Sequence, residues 1–157
     1  MSKAKRILEL GCLTGFGALG MAEALPADGV VITCEFDPYL QTLARTYVDK
    51  SPHGKKITIK SGPAKDTLLH LGEKGEKFNL IFMDADKDGY QEYYRIIFEK
   101  ELLAPNGTII VDNALGGGYP YSKELADPSR TMGVDIYKFN QMASKDPNVQ
   151  RVSQNKY

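Results

Sequence analysis

The sequence has no long hydrophobic run. Its apolar stretches are a few residues each, far short of the roughly 20 that a membrane span needs. The opening MSKAKR leads straight towards a strand and carries no signal-peptide core. There is no excess of charge: Lys+Arg and Asp+Glu both number 20, so no overall field draws the chain to nucleic acid or to an anionic membrane. Cysteine is scarce. Cys12 and Cys34 form no CxxC pair, and neither His53 nor His70 stands at metal-ligand spacing from them. The two cysteines read as reduced thiols of a cytoplasmic protein. Internal repeats, low-complexity tracts and linkers are also missing. What remains is ordinary: 157 residues, 42% hydrophobic and 25% charged, which predicts one domain spanning 1–157.

Strand-like and helix-like segments alternate throughout. Arg6 to Leu10 reads as a short buried strand, followed by a glycine-rich turn and a helix to about Leu25. Val30 to Glu35 is β-branched and buried in pattern. Asp37-Pro38 caps a helix with an apolar stripe of Leu40, Leu43, Ala44, Tyr47 and Val48. Lys56 to Ser61 alternates as a strand near a sheet edge would, and Gly62-Pro63-Ala64 turns into a helix of about eight residues. Phe78 to Met83 is apolar enough for a central parallel strand. Asp88 and Gln91 have capping-box spacing ahead of a helix that buries Tyr90, Tyr94, Ile97 and Phe98. Pro105-Asn106-Gly107 reads as a turn and Thr108 to Val111 as the fifth strand. Ala114 to Tyr121, with three glycines, reads as a mobile loop. A last helix presents Met132, Ile136, Phe139 and Ala143, and Val149 to Val152 reads as the start of a sixth strand. Five βα units in series predict an α/β fold, a Rossmann-like doubly wound parallel sheet. Ligands of such sheets bind beyond the C-terminal ends of the strands.

Those ends are rich in glycine and carboxylate. Glu35 closes the second strand, where an acid typically accepts hydrogen bonds from ribose hydroxyls. Asp84, Asp112 and Asn113 end the fourth and fifth strands and offer hard oxygen ligands without Cys or His. That chemistry suits Mg²⁺, Mn²⁺ or Ca²⁺; the same residues would also serve as helix caps. Lys87, three residues after Asp84, is either a general base or a surface lysine. The opening loop has two readings. Gly15-Phe16-Gly17-Ala18-Leu19-Gly20 is literally G-x-G-x-x-G, with Glu35 20 residues beyond Gly15, which would suit an NAD(P)-dependent oxidoreductase. Counted from the strand end at Leu10, however, the pattern is E-x-G-x-x-x-G, with Glu9, Gly11 and Gly15. An acid within the strand end and a longer loop suit a ligand with a cationic amino acid end, such as S-adenosylmethionine (SAM).

LELGCLTGFGALGMAEALP, VVITCEFDP, SGPAKDTL, FNLIFMDADKDGY, LLAPNGTIIVDN and DPSRT occur in the order and spacing of the cation-dependent O-methyltransferases. The chain resembles the caffeoyl-CoA and catechol O-methyltransferase-like enzymes over essentially its whole length. The resemblance implies that Glu9, Gly11, Cys12, Gly15 and Gly17 belong to the loop holding the methionine part of SAM. It implies that Glu35 binds the ribose, that Ala64 contacts adenine and that Asp86 makes another cofactor contact. Asp84, Asp112 and Asn113 match the metal ligands, with Asp84 and Lys87 as the catalytic pair. The implied reaction is metal-assisted methyl transfer to a hydroxyl of a small catechol-like or phenolic acceptor. A SAM-binding core without turnover is the non-catalytic alternative. The resemblance allows a homodimer and implies neither nucleic acid nor membrane as partner. It also leads one to expect a core lacking the family's N-terminal helices and most of its C-terminal antiparallel strand pair. Gly17 departs from the pattern, standing where the family usually has a serine that helps bind the SAM carboxylate.

Overall fold

The computed structural model describes residues 4–115 and 131–152, with the backbone alone for 131 and 132. The chain divides into two compact units, residues 1–112 and 113–157. The first contains β1 (Arg6–Leu10), α1 (Phe16–Ala24), β2 (Val30–Glu35), α2 (Pro38–Val48), β3 (Ile57–Ser61), α3 (Ala64–Glu73), β4 (Phe78–Met83), α4 (Tyr90–Glu99) and β5 (Leu103–Val111). All strands are parallel, in the order β3-β2-β1-β4-β5.

Both faces of the sheet are covered, as the apolar strand runs require. Ile7 and Val31 pack with Ala18, Ala22 and Leu25 on the α1 side, where Val48 and Ile57 complete the cluster. The two-residue alternation turns Leu8, Leu10, Ile32 and Cys34 the other way. On that side the Cys34 thiol interacts with Thr67 of α3. The Asp37 carboxylate accepts from the amides of Tyr39 and Leu40 at 2.7 and 3.3 Å, so α2 starts at its expected cap with Pro38 first.

Local expectations fail in four places. Tyr47, assigned to the apolar stripe of α2, is 52% exposed; Ala44 and Val48 are buried on that face and Leu40 and Leu43 half-buried. The capping box at Asp88 is not formed. The chain makes a 3₁₀ turn over Lys87–Gly89, and Gly89 caps α4 without a side-chain bond. Pro105-Asn106-Gly107 lies inside β5 instead of preceding it. Phe78 pairs with Leu103 and Leu80 with Thr108, so the extra residues bulge out of the ladder, with Asn106 at φ 58°. A bulge tolerates proline and left-handed residues that a regular strand excludes. Residues 149–152 are not a strand.

The second unit contains α5 (Thr131–Ser144), with Ile136, Phe139 and Ala143 buried along one face as expected. The Asn140 side-chain amide donates to the Ala114 carbonyl at 2.6 Å. The side chain of Met132, residues 116–121 of the expected mobile loop and the DPSR of DPSRT lie outside the described residues. Among the described residues no helix is long and apolar enough to cross a membrane.

Candidate active site

The strand ends of the first unit form a continuous rim. At the end of β1, Gly11 takes φ 100°, and a Cβ there would collide with the Asp84 carbonyl oxygen. The amides of Gly11 and Cys12 both donate to the Cys34 carbonyl, at 3.2 and 2.9 Å. The loop is thereby pinned between the ends of β2 and β4, a path open only to glycine. Gly15 (φ 82°) is the N-cap of α1 and packs against Val48 and Ala44 of α2. Gly17 and Gly20 therefore lie within the helix. That placement removes the dinucleotide reading of the loop, which needs its first glycine directly off the strand.

Glu9 is 1% exposed. Its register partner is Thr33 on β2, whose hydroxyl donates to Oε2 at 2.5 Å. Burial pushes the Glu9 carboxyl up to about 7; the charge of Asp84 adds to this and the Thr33 bond opposes it. Cys12 is buried beside them. Burial raises its thiol pKa, the Thr33 contact opposes this, and the charges of Glu9 and Glu35 add to the rise. Burial likewise holds Cys34 up at about 12. Both cysteines are free thiols and stay protonated at neutral pH, so neither supplies a thiolate.

Glu35 ties the neighbouring loops together. Its Oε2 accepts from the Leu13 amide at 2.7 Å and its Oε1 from the Asp37 amide at 2.9 Å. Its carbonyl accepts from Gly62 at 3.0 Å, which brings Ala64, the buried first residue of α3, to the same rim. Glu9, Gly11, Cys12, Gly15, Gly17, Glu35 and Ala64 thus line one half of the rim, beside the N-terminus of α1.

Asp84 and Asp112 form the other half. Met83 pairs with Val111, so the next residues are side by side on adjacent strand ends. The Asp84 amide donates to Leu10 and the Asp112 amide to Met83, at 2.9 and 3.0 Å. The Lys87 ammonium donates to Asp84 Oδ1 and to the Tyr90 hydroxyl, both at 2.8 Å. Tyr90 is fully buried; its hydroxyl donates to the Met83 carbonyl at 2.9 Å and lies 3.4 Å from that of Asp112. Burial raises the Tyr90 pKa, and the charges of Asp84, Asp112 and Asp86 raise it further. Asp86 accepts from Tyr93 at 2.7 Å, and a Cβ at Gly89 would run into both.

Among the described residues no three His, Cys, Asp or Glu side chains cluster tightly enough to hold a metal ion. The set read from the sequence has two carboxylates and an amide. Its chemistry fits a hard divalent cation: the donors are all oxygen, three carboxylate charges converge on Tyr90, and an ammonium already sits on Asp84. Asn113 follows Asp112 directly, opens the second unit and has φ 56°.

Thr33, Tyr90 and Tyr93 are site residues that sequence reasoning missed. Thr33 sits in an apolar run, and only strand register pairs it with Glu9. Tyr90 was read as core, yet its spacing of three from Lys87 was a usable signal. A shallow groove of about 400 Å³ between α2 and β3, lined by residues such as Gln41, Arg45 and Asp49, contains none of the predicted site residues.

The profile of a family described as O-methyltransferase matches residues 1–155. This chain belongs to the O-methyltransferase family. A catechol O-methyltransferase of Niastella koreensis is 36% identical over 130 residues, covering 82% of this chain and 58% of the relative. A caffeoyl-CoA O-methyltransferase of Petroselinum crispum is 29% identical, covering 94% and 63%. The crystal structure of a Bacillus cereus O-methyltransferase in complex with S-adenosylhomocysteine (SAH) is 28% identical and superposes with a TM-score of 0.82, covering 92% of this chain and 64% of that one. The chain spans about three-fifths of the length of the curated relatives it matches. The expected family and parallel α/β fold are therefore both found.

Proposed function

We propose that this chain carries out SAM-dependent O-methyl transfer to a small catechol-like or phenolic hydroxyl, assisted by a divalent cation held by Asp84, Asp112 and Asn113. The observation that carries this reading is the pair of adjacent strand-end carboxylates, Asp84 and Asp112, with the Lys87 amine on one of them, next to a glycine loop backed by a buried acid.

The Gly11–Gly15 loop and Glu9 bind the amino acid end of SAM, and Glu35 and Ala64 take the ribose and adenine. Asp86, held by Tyr93, makes a further cofactor contact. A divalent cation, Mg²⁺ first among the candidates, supplies Lewis acidity that lowers the pKa of the acceptor hydroxyl. Lys87 Nζ would first release its own proton to solvent and then, as the neutral amine, take the acceptor's proton, with Asp84 and Tyr90 aiming it. Holding acceptor and methyl donor on one rim supplies the largest share of the acceleration, because two separate reactants become one positioned pair. The family match runs through both units, which supports treating residues 1–157 as a single methyltransferase domain. The balanced charge leaves no overall pull towards nucleic acid or an anionic membrane, which suits a cytoplasmic enzyme, as a monomer or as a homodimer.

Methyl transfer from labelled SAM to a catechol, with Mg²⁺ and then with chelator, tests the reading. Activity should depend on the metal and fall at least a hundredfold in Asp112→Ala. Equal activity with and without chelator removes the metal. Tight SAH binding without turnover on any catechol reduces the chain to a binding core.

A further inference from the structure

The end of β2 is held by more than its sheet neighbours. Glu35 and Ser61 are the last register pair between β2 and β3. Beyond them the strands part, β2 into Phe36-Asp37 and β3 into the left-handed Gly62 (φ 105°). Diverging strand ends fray unless something ties them. Gln41, one turn into α2, supplies the tie. Its carboxamide nitrogen donates to the Glu35 carbonyl at 2.8 Å and lies 3.4 Å from the Phe36 carbonyl. Its carboxamide oxygen accepts from the Ser61 hydroxyl at 2.7 Å. The Glu35 carbonyl also takes the Gly62 amide, at 3.0 Å. One side chain thus braces α2, the end of β2 and the end of β3 against one another. The brace needs a donor and an acceptor on one group. A glutamate carboxylate has no donor, lysine has no acceptor and methionine has no donor. α2 is a firm base for it. Asp37 caps the helix, Pro38 opens it, and the Gln41 amide donates to the Asp37 carbonyl at 3.0 Å.

We propose that Gln41 is a positioning residue for the adenosine end of the cofactor, acting through Glu35 and the Ser61–Ala64 turn. The Leu13 and Asp37 amides aim the Glu35 carboxylate. Gln41 fixes the backbone from which that side chain springs, and through Ser61 it ties the same backbone to the turn that ends at Ala64. The groups that receive ribose and adenine are therefore held as one unit. A shift of about 0.5 Å in a binding group loosens a site even when every contact residue is present. The proposal rests on the reading that this rim binds SAM. The role of Gln41 is indirect, and the residues that meet the ligand stay the same.

The test is calorimetry with SAH and with methylthioadenosine, which shares the adenosine end and lacks the amino acid end. Melting temperature is measured alongside. The variants are Gln41→Met, Ser61→Ala, the two combined, and Thr42→Val. Thr42 is the control: it is exposed, adjoins Gln41 in α2, and donates its hydroxyl to the Pro38 carbonyl at 3.0 Å. Gln41→Met should weaken both ligands by the same factor, roughly fivefold, the scale of one net hydrogen bond. Ser61→Ala should weaken both by roughly threefold and cost nothing further in Gln41→Met. Thr42→Val should leave both affinities at the wild-type value, whatever it does to the melting temperature. Wild-type affinity in Gln41→Met overturns the proposal, because the brace then serves the fold alone. A loss for SAH without an equal loss for methylthioadenosine also overturns it, as does a further loss in the double variant. If Gln41→Met does not fold, Ser61→Ala decides: its hydroxyl is exposed, and wild-type affinity there overturns the proposal. If the wild-type chain binds neither ligand, the SAM reading has failed and the proposal falls with it. Binding by the wild type that neither substitution weakens sinks the proposal and leaves that reading standing.

Discussion

At the scale of single residues, Glu9 is the most consequential group. Its carboxyl is held near 7, chiefly by burial and then by the charge of Asp84, so the folded state binds a proton that the unfolded chain releases near 4.5. The stability this provides is complete below 4.5 and is lost as pH rises through 7. The ligand-free protein should therefore melt at a lower temperature at pH 8 than at pH 5.5. Glu9→Gln should flatten that dependence, removing a cost on the order of 3 kcal/mol at high pH. Thermal melts across pH 5 to 8 check it, and a slope unchanged by the substitution would contradict it. Glu9, Glu35, Asp84, Lys87 and Asp112 were legible in the sequence because strand ends of a parallel sheet are findable from the apolar runs before them. Thr33 and Tyr90 were not. Their partners are set by register and by the turn at Lys87–Gly89, neither of which a local pattern encodes.

At the scale of elements, α1 is held at both ends by groups outside it. Its N-terminus is fixed by the Gly11–Gly15 loop. At its C-terminus the buried Lys56 ammonium, from the turn before β3, donates to the carbonyls of Ala22 and Leu25, both at 2.7 Å. A lysine there satisfies orphan carbonyls and complements the negative end of the helix dipole. Lys56→Met keeps the length of the stem and leaves two carbonyls unpaired. It should cost about 2–4 kcal/mol, measured by urea denaturation, and a change below 1 kcal/mol would show that water replaces the ammonium without penalty. The sequence pattern read Lys56 as the polar start of an alternating strand; the contact spans more than 30 residues of chain and leaves no periodic trace. The bulge in β5 has a similar cause. Pro105-Asn106-Gly107 signals a break correctly, but pairing on both sides with β4 keeps the break inside one strand.

At the scale of the whole molecule, the order β3-β2-β1-β4-β5 places Glu9, Gly11, Glu35 and Ala64 on one side of the β1–β4 boundary and Asp84, Asp86 and Asp112 on the other. Alternating βα units were enough to predict this architecture, because parallel strands and right-handed crossovers leave few alternatives. Ligand binding should be visible as stability of the entire cooperative unit. SAH at about a hundred times its dissociation constant should stabilise the fold by about 2.7 kcal/mol, seen as a raised melting temperature, whereas NAD at the same concentration should leave it unchanged. A shift with NAD and none with SAH would reverse the assignment of the loop. Gly11 is the point where the two sides of the boundary meet, a left-handed residue with the carbonyl of Asp84 where its side chain would be. In terms of sequence variation, that position is filtered twice, once by backbone handedness and again by its neighbour on β4. Random drift has no neutral step to take there, and a library of functional variants should leave residue 11 invariant while residue 20, one helix turn from Gly17, wanders freely.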